Sequence, residues 1–353
     1  MASFSPCCRP VGIGSLPHRQ VDAAVELIGK TLPTMPFWPQ LPNHGYLENM
    51  YAQYGEQFPG LVIDREKEQL YVDLAAADFP RQLEKFYELV MAGDPAPFAI
   101  SDAYAAGLRP ALEFFRRPEN AGRLKLIKGQ VTGPISFGLT VTTADRKSII
   151  YNDTLAEVLV QQLLMKARWQ EELFRQFFPG LPTMIFFDEP YMVSFGTAFC
   201  ALARESVVAM LNEVFAGLAG LSGVHCCGNT DWSLLLATGV DVLNFDAYEY
   251  VDNLFLYRDE LGAFLERGGC LAWGIVPTSE AAWREDVDSL CRRFTGYLDE
   301  LAAGGFDREL LLARSFITPS CGCGSLPVPL AEHILQLTSE LAARIRDVYD
   351  LGD

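Results

Sequence analysis

Two short runs in this chain carry the residue types that ligate metal ions: His225-Cys226-Cys227-Gly228-Asn229-Thr230-Asp231 and, later, Thr318-Pro319-Ser320-Cys321-Gly322-Cys323-Gly324. Apolar residues lead into both, Leu221 and Val224 into the first and Phe316 and Ile317 into the second. In an extended strand, side chains i and i+2 share a face. His225 and Cys227 therefore point one way and Cys226 the other. An imidazole nitrogen and a thiolate on one face, joined by a distant third ligand, make a half-built zinc site. Three protein ligands with an exchangeable fourth position describe catalytic zinc better than structural zinc. Cys321 is the third-ligand candidate. A redox pair of Cys321 with Cys323 is disfavoured by the single residue between them, which strains a disulfide ring. Cys323 is read as packing or support, as are Cys226, Cys7, Cys8, Cys200, Cys270 and Cys291.

Three further places hold polar groups where an apolar strand ends. Asp188-Glu189-Pro190 follows such a strand, and Asp188 either caps a helix or binds a substrate ammonium. Asp246 ends another, where a carboxylate needs a partner. It is open to three roles: displaceable zinc ligand, acceptor for a ligand's hydrogen bond, or helix N-cap, with Glu249 the nearby competitor for the metal. Gly12-Ile13-Gly14-Ser15 lacks the third glycine of a dinucleotide fingerprint. Its use is backbone N–H groups for an anion such as a carboxylate, or a plain strand-to-helix turn. His18, His44 and His333 show no partner pattern.

These residues need elements to hold them. From about residue 120, apolar β-rich runs alternate with amphipathic helical stretches. Strands are expected at 124–131, 183–188, 223–227, 241–246, 270–276 and 314–318. Helices are expected at 154–178, 198–218, 232–237, 253–267, 279–303 and 330–348. The front of the chain adds Val11 to Ser15 with a helix near 21–29, then a less regular stretch near Met35 to Leu41. Eight βα units predict a single-domain α/β (β/α)8 barrel over 1–353. Residues at about 42–120 exceed one unit and read as an inserted hairpin (61–74) with helices, a candidate lid. Ser15, Asp188, His225, Cys227, Asp246 and Cys321 all fall at or just past strand C-termini, the face where barrels carry active sites.

Composition narrows the classes. The chain has 353 residues, 50% hydrophobic and 21% charged, enough for a large core. Its formal net charge of -17 argues against nucleic acid, whose phosphates demand clustered Lys and Arg, and against an anionic membrane surface. No apolar stretch approaches the roughly 20 residues needed to span a bilayer, and the N-terminus lacks a signal-peptide pattern. Nine dispersed cysteines fit a reduced, cytoplasmic setting.

The pattern resembles the group of barrels that contains uroporphyrinogen decarboxylase and cobalamin-independent methionine synthase, specifically its zinc-dependent thiol methyltransferases. The carrying residues are His225-x-Cys227, Cys321 within Pro-Ser-Cys-Gly, Asp188-Glu189-Pro190 and Ile13-Gly14-Ser15. The resemblance runs over most of the chain and corresponds to the C-terminal catalytic barrel of the methionine synthase. It implies Zn2+ on His225, Cys227 and Cys321, with Asp246 where the family has Glu. It implies that Asp188 holds a homocysteine amino group and that Ile13 and Ser15 receive its carboxylate. Glu48 is the nearest match to a family Glu that precedes Tyr-Gly-Glu-Gln.

Two departures bear on the methyl donor. The family's folate-step His has no counterpart in Trp273-Gly-Ile-Val-Pro277, and its folate-contacting Trp is absent from Gly133-Pro-Ile-Ser-Phe-Gly138. His-x-Cys-Gly-Asn-Thr is also similar to the methylcobamide:coenzyme M methyltransferases. The expected activity is methyl transfer to a homocysteine-like thiol, with a methylated corrinoid, carried by a partner protein, as donor. Methyltetrahydrofolate is the alternative donor and coenzyme M the alternative acceptor. Uroporphyrinogen decarboxylation is disfavoured by the lack of an Arg-rich N-terminal loop. A carrier that binds a corrinoid or thiol without turnover is the non-enzymatic reading.

Overall fold

Residues 4–352 are described in the computed structural model. Among the described residues ten strands form two sheets: β1 Arg9–Pro10, β2 Leu61–Asp64, β3 Gln69–Val72, β4 Ile127–Thr132, β5 Thr142–Thr143, β6 Thr183–Asp188, β7 Leu221–Cys226, β8 Val242–Phe245, β9 Cys270–Val276 and β10 Ser315–Pro319. Seven lie in one curled sheet in the order β1-β10-β9-β8-β7-β6-β4. Every pairing in it is parallel. Parallel neighbours need long crossovers, and helices supply them: Asp153–Phe177, Arg204–Ala216, Arg258–Glu266 and Val287–Ala303 among others, with Val328–Val348 closing the chain after the last strand.

The eight-stranded barrel expected above is therefore met in part, with seven strands in the sheet. Residues 33–42 occupy the region between β1 and β4 without forming a ladder. Single parallel bridges join Ser15 to Gln40 and Phe37 to Lys128. Gln40 N donates to Gly14 O at 2.9 Å, and Lys128 N to Pro36 O at 3.0 Å. The sequence explains the irregularity: Pro33, Pro36, Pro39 and Pro42 recur every third residue, and each removes a ladder donor.

The core divides by strand parity. Ile185, Phe187, Val224, Cys226, Leu243, Phe245, Leu271, Trp273 and Ile317 join the large apolar cluster between sheet and helices. Met184, Phe186, Val242, Cys270, Ala272 and Phe316, with Val11, Met35 and Leu126, form a second cluster on the opposite, concave face. Carried two residues on, the inner parity of β4, β6, β7, β8 and β10 reaches Lys128, Gln130, Asp188, His225, Asn244 and Thr318. The concave face is thus apolar where the strands begin and polar where they end.

Several boundaries differ from expectation for local reasons. The helix expected at 253–267 is two, Ala247–Leu254 and Arg258–Glu266. The one expected at 279–303 breaks into a turn at Glu280–Arg284 and a helix at Val287–Ala303, whose start is set by a reciprocal Asp286–Ser289 capping box. The helix expected from 198 begins at Arg204. Within 42–120, β2 and β3 form the antiparallel hairpin, and β3 also pairs with β5. Helices Phe79–Ala92 and Leu108–Arg116 follow, the second packing against Val21–Thr31.

Candidate functional site

Register places the chemistry in one row. Across the parallel sheet, Asp188 of β6 stands beside His225 of β7, and His225 beside Asn244 of β8. β7 ends at Cys226, so Cys227 follows on the same side as His225. Cys226 points away into the large core, and burial pushes its thiol up to about 12. The last strand delivers Cys321 through a break in register. Thr318 pairs with Gly274 but Pro319 pairs with Val276, which skips Ile275. Bulges of this kind re-aim the chain at sheet ends. Ser320 N then donates to Val276 O at 2.8 Å and its hydroxyl accepts from Thr278 N at 3.1 Å.

The result is a cluster of three ligand atoms. One atom each from His225, Cys227 and Cys321 lie within 4.8 Å of one another. Ligands at roughly 2.0–2.3 Å from a tetrahedral zinc stand about 3.5 Å apart, so the spacing fits with slight contraction. Among the described residues this is the one such group of His, Cys and acid. His225 is buried and its Nε2 has no hydrogen-bond partner. A buried ring nitrogen left unpaired beside two sulfurs is a donor set that fits a borderline-soft cation.

The sulfurs are electrostatically unequal. Cys227 is drawn down to about 4, first by the hydrogen bond from Cys321, against burial, and then by His225. Cys321 is driven up by the same hydrogen bond and by burial. One proton between two close sulfurs is what a bound metal displaces. Burial works to lower His225, but the Cys227 thiolate and the Asp188 carboxylate outweigh it and raise its pKa.

Asp188 is buried with Oδ1 unpaired. Burial raises its pKa to about 6, with His225 and Lys128 pulling it back. Lys128, fully buried, donates from Nζ to Ile13 O and lies 4.4 Å from the centre of the Phe186 ring. Burial lowers it to about 7, offset by Asp188. Asp188 faces a cavity of about 400 Å3, whose wall also includes Ile13, Ser15, Glu48, His225, Cys227 and Cys321; Lys128 lies behind that wall. No Lys or Arg is among the residues lining it.

The remaining candidates take structural positions around this cavity. Ser15 braces the loop that carries Cys321: its hydroxyl accepts from Gly324 N at 3.2 Å and its carbonyl from Cys323 N at 2.9 Å. A Cβ at Gly322 would lie 2.3 Å from Ser15 Oγ, so a larger residue there would displace the Ser15 hydroxyl from its place in the brace. Glu48 accepts from Leu41 N at 2.8 Å and Ala106 N at 3.1 Å, tying two loops together at the cavity wall. Asp246 is not part of the three-ligand group. β8 stops at Phe245, and Asp246 turns into the N-cap of Ala247–Leu254, accepting from Glu249 N at 3.0 Å. Of the roles open to it, the structure displays the cap. Glu249 is exposed. Glu189 accepts from Ile135 N, Ser136 N and Ser136 Oγ, so it caps the helix Pro134–Thr140. Cys321 and Cys323 are free thiols, as are the other seven cysteines.

Sequence reasoning passed over Lys128 and Asn244. The available signal was parity: each is a polar residue at an inner position of a strand whose inner face starts apolar, where burial demands partners.

Comparison with known proteins bears on the fold. The structure of a methyltransferase from Methanosarcina mazei superposes with a TM-score of 0.55 at 14% identity, covering 99% of this chain and 95% of that one. A B12-independent methionine synthase from Shewanella sp. W3-18-1, in complex with selenomethionine, gives a TM-score of 0.46 at 16% identity over 68% of each chain. No family model matches the chain, and no curated protein matches it. Among the described residues, no helix is long and apolar enough to cross a membrane. At 14% identity the end-to-end likeness to the Methanosarcina mazei protein is one of fold, an α/β architecture around a curled parallel sheet.

Proposed function

We propose that this protein is a zinc-dependent methyltransferase that moves a methyl group to the sulfur of a small thiol. The observation that carries the reading is the convergence of His225 Nε2, unpaired and buried, with the sulfurs of Cys227 and Cys321 on the wall of a cavity of about 400 Å3. The name of the full-length fold neighbour, a methyltransferase, agrees with it. His225, Cys227 and Cys321 would hold the ion and leave a fourth position toward the cavity. Bound there, zinc would supply a charge that lowers the pKa of an incoming thiol toward neutrality.

The acceptor follows from the wall. Asp188 offers a buried carboxylate with one oxygen unpaired, which suits a substrate ammonium. The lining has no Lys or Arg for a sulfonate such as that of coenzyme M. An aminothiol of the homocysteine class is therefore the proposed acceptor, with its carboxylate toward the Ile13–Ser15 turn. Lys128 anchors that turn from below through Ile13 O. Ser15 couples the turn to the Cys321 loop, so acceptor binding and ligand placement share one brace.

For the donor we propose a methylated corrinoid on a partner protein, with methyltetrahydrofolate as the alternative. What supports this choice is the lack of a His in Trp273–Pro277 and of a Trp in Gly133–Gly138. A cavity of about 400 Å3 has room for an amino-acid thiol, and a corrin ring would sit across its mouth.

The deciding experiment is methionine formation from homocysteine and methylcobalamin by zinc-loaded protein. Formation above the uncatalysed rate that is lost in Cys321→Ala supports the reading. Turnover that survives in both Cys227→Ala and Cys321→Ala, with zinc retained, overturns it. Methylation only with methyltetrahydrofolate would change the donor and leave the thiol chemistry standing.

A further inference from the structure

Beneath the three ligands lies a residue with no role in the reading so far. Asn244 is fully buried at the inner position of β8, directly beside His225 in register. Its Nδ2 donates to Ala272 O at 2.8 Å and to Thr318 Oγ1 at 2.9 Å. Ala272 O can only accept, so the amide nitrogen must face it. The orientation of the Asn244 amide is thereby set by chemistry rather than by choice, and Oδ1 is left facing His225 Nδ1, to which it is hydrogen-bonded. An amide oxygen can only accept, so Nδ1 must carry the hydrogen. The neutral ring then has its lone pair on Nε2, the atom left unpaired beside Cys227 and Cys321.

We propose that Asn244 is the positioning residue of the metal centre: it holds His225 in the Nδ1–H form and presents Nε2 as a ready-made ligand. The inference rests on the zinc reading above and deepens it. Four neighbouring strands take part. β7 supplies the ligand, β8 the amide that orients it, and β9 with β10 the two acceptors that orient the amide. An imidazole that ligates a metal needs its other nitrogen engaged, or the ring pivots and exchanges tautomers. Asn244 meets that need with a neutral group. The charge of two thiolates and a divalent ion is left balanced, where a carboxylate in its place would add a negative charge.

A merely structural Asn would matter for stability alone, so the test reads the ring and the metal directly. Zinc affinity is measured by competition with a chromophoric chelator for wild type, Asn244→Leu and Thr318→Val. The imidazole tautomer is read from 15N shifts of His225 in zinc-loaded protein. Loss of an outer hydrogen-bond partner typically weakens metal binding about 10–100-fold, and that loss is expected for Asn244→Leu. Thr318→Val, which removes one of the two anchors of the amide and keeps the side-chain shape, is expected to weaken binding several-fold. It also serves as the deciding variant where Asn244→Leu fails to fold. Wild-type affinity in the folded variants overturns the proposal, as does a wild-type ring that carries its hydrogen on Nε2. Where wild type itself binds no zinc, the metal reading fails on its own. The ring of zinc-free protein, at a pH alkaline enough to leave it neutral, then decides this inference: Nδ1–H in wild type with mixed tautomers in the variants supports it, and Nε2–H overturns it.

Discussion

Two buried polar networks in this molecule have opposite endings. The first is on the long helix Asp153–Phe177. Lys166, fully buried, donates to Gln57 Oε1 at 2.8 Å, Phe98 O at 3.3 Å and Ala99 O at 3.4 Å, with the Glu56 carboxylate 4.0 Å away. One and a half turns on, Glu171 accepts from Thr183 Oγ1, Ala219 N, Gly220 N and Arg175. Every charge there is answered by the protein. The second network is the row Asp188–His225–Asn244 with Cys227 and Cys321. It too is buried, but it ends on two unanswered atoms, Asp188 Oδ1 and His225 Nε2, in adjacent strands at one cavity. Burying a polar atom without a partner costs about 1–3 kcal/mol. A closed network repays burial with rigidity, whereas an open one keeps that cost until something outside the chain completes it.

The largest test of this contrast is to remove what the open network offers. Cys227→Ala and Cys321→Ala should each lower zinc affinity by more than about 100-fold, beyond the usual cost of losing an outer partner. Thermal stability should fall far less, and retained zinc in both variants would break the comparison. Asp188→Asn comes next. The loss of one charge-assisted contact, about 1.5–3 kcal/mol, should raise the KM for the aminothiol roughly 10–100-fold and leave zinc binding intact. An unchanged KM would remove Asp188 from the acceptor site.

The closed network makes the complementary prediction. Burial lowers Lys166 from 10.5 to about 7. Its folded pKa is depressed, so its contribution to stability is present above the unfolded value and lost as pH falls toward the folded one. Between about pH 7 and 10, wild type should therefore gain up to about 1.4 kcal/mol per pH unit relative to Lys166→Met. Parallel pH profiles in denaturant unfolding would show that the lysine stays charged in the fold. Methyl transfer should be unaffected. The smallest effect belongs to Ser15→Ala, which leaves Gly324 N without its acceptor. About 1 kcal/mol of stability should be lost, together with some order in the loop that carries Cys321, read by the rate of alkylation of that thiol.

Strand and helix alternation was open to reading because apolar runs and amphipathic stretches report local burial. β6 and β9 begin and end where the residues predict. The prolines at 33, 36, 39 and 42 were equally visible, yet their consequence, a bridging segment in place of an eighth strand, depends on what lies on either side. Spacing was enough to put His225 and Cys227 on one face and Cys226 on the other, because i and i+2 geometry needs no partner strand. Asp246 shows the limit: its three possible roles differ only in which neighbour reaches it first, and in the fold Glu249 N does.

What the sequence determined by itself is local: the order of strands and helices, the strand-end positions of Asp188, His225, Cys227 and Cys321, and a formal net charge of -17. What the tertiary structure alone decided is register and parity. Asp188, His225 and Asn244 are far apart in the chain and become neighbours because parallel strands align them. Ser15 meets Gly324 across nearly the whole sequence because the first and last strands are paired. Hydrogen-bond direction in a buried site is set by which acceptors surround each amide. That surrounding exists only once the sheet has curled and closed its polar row around the cavity.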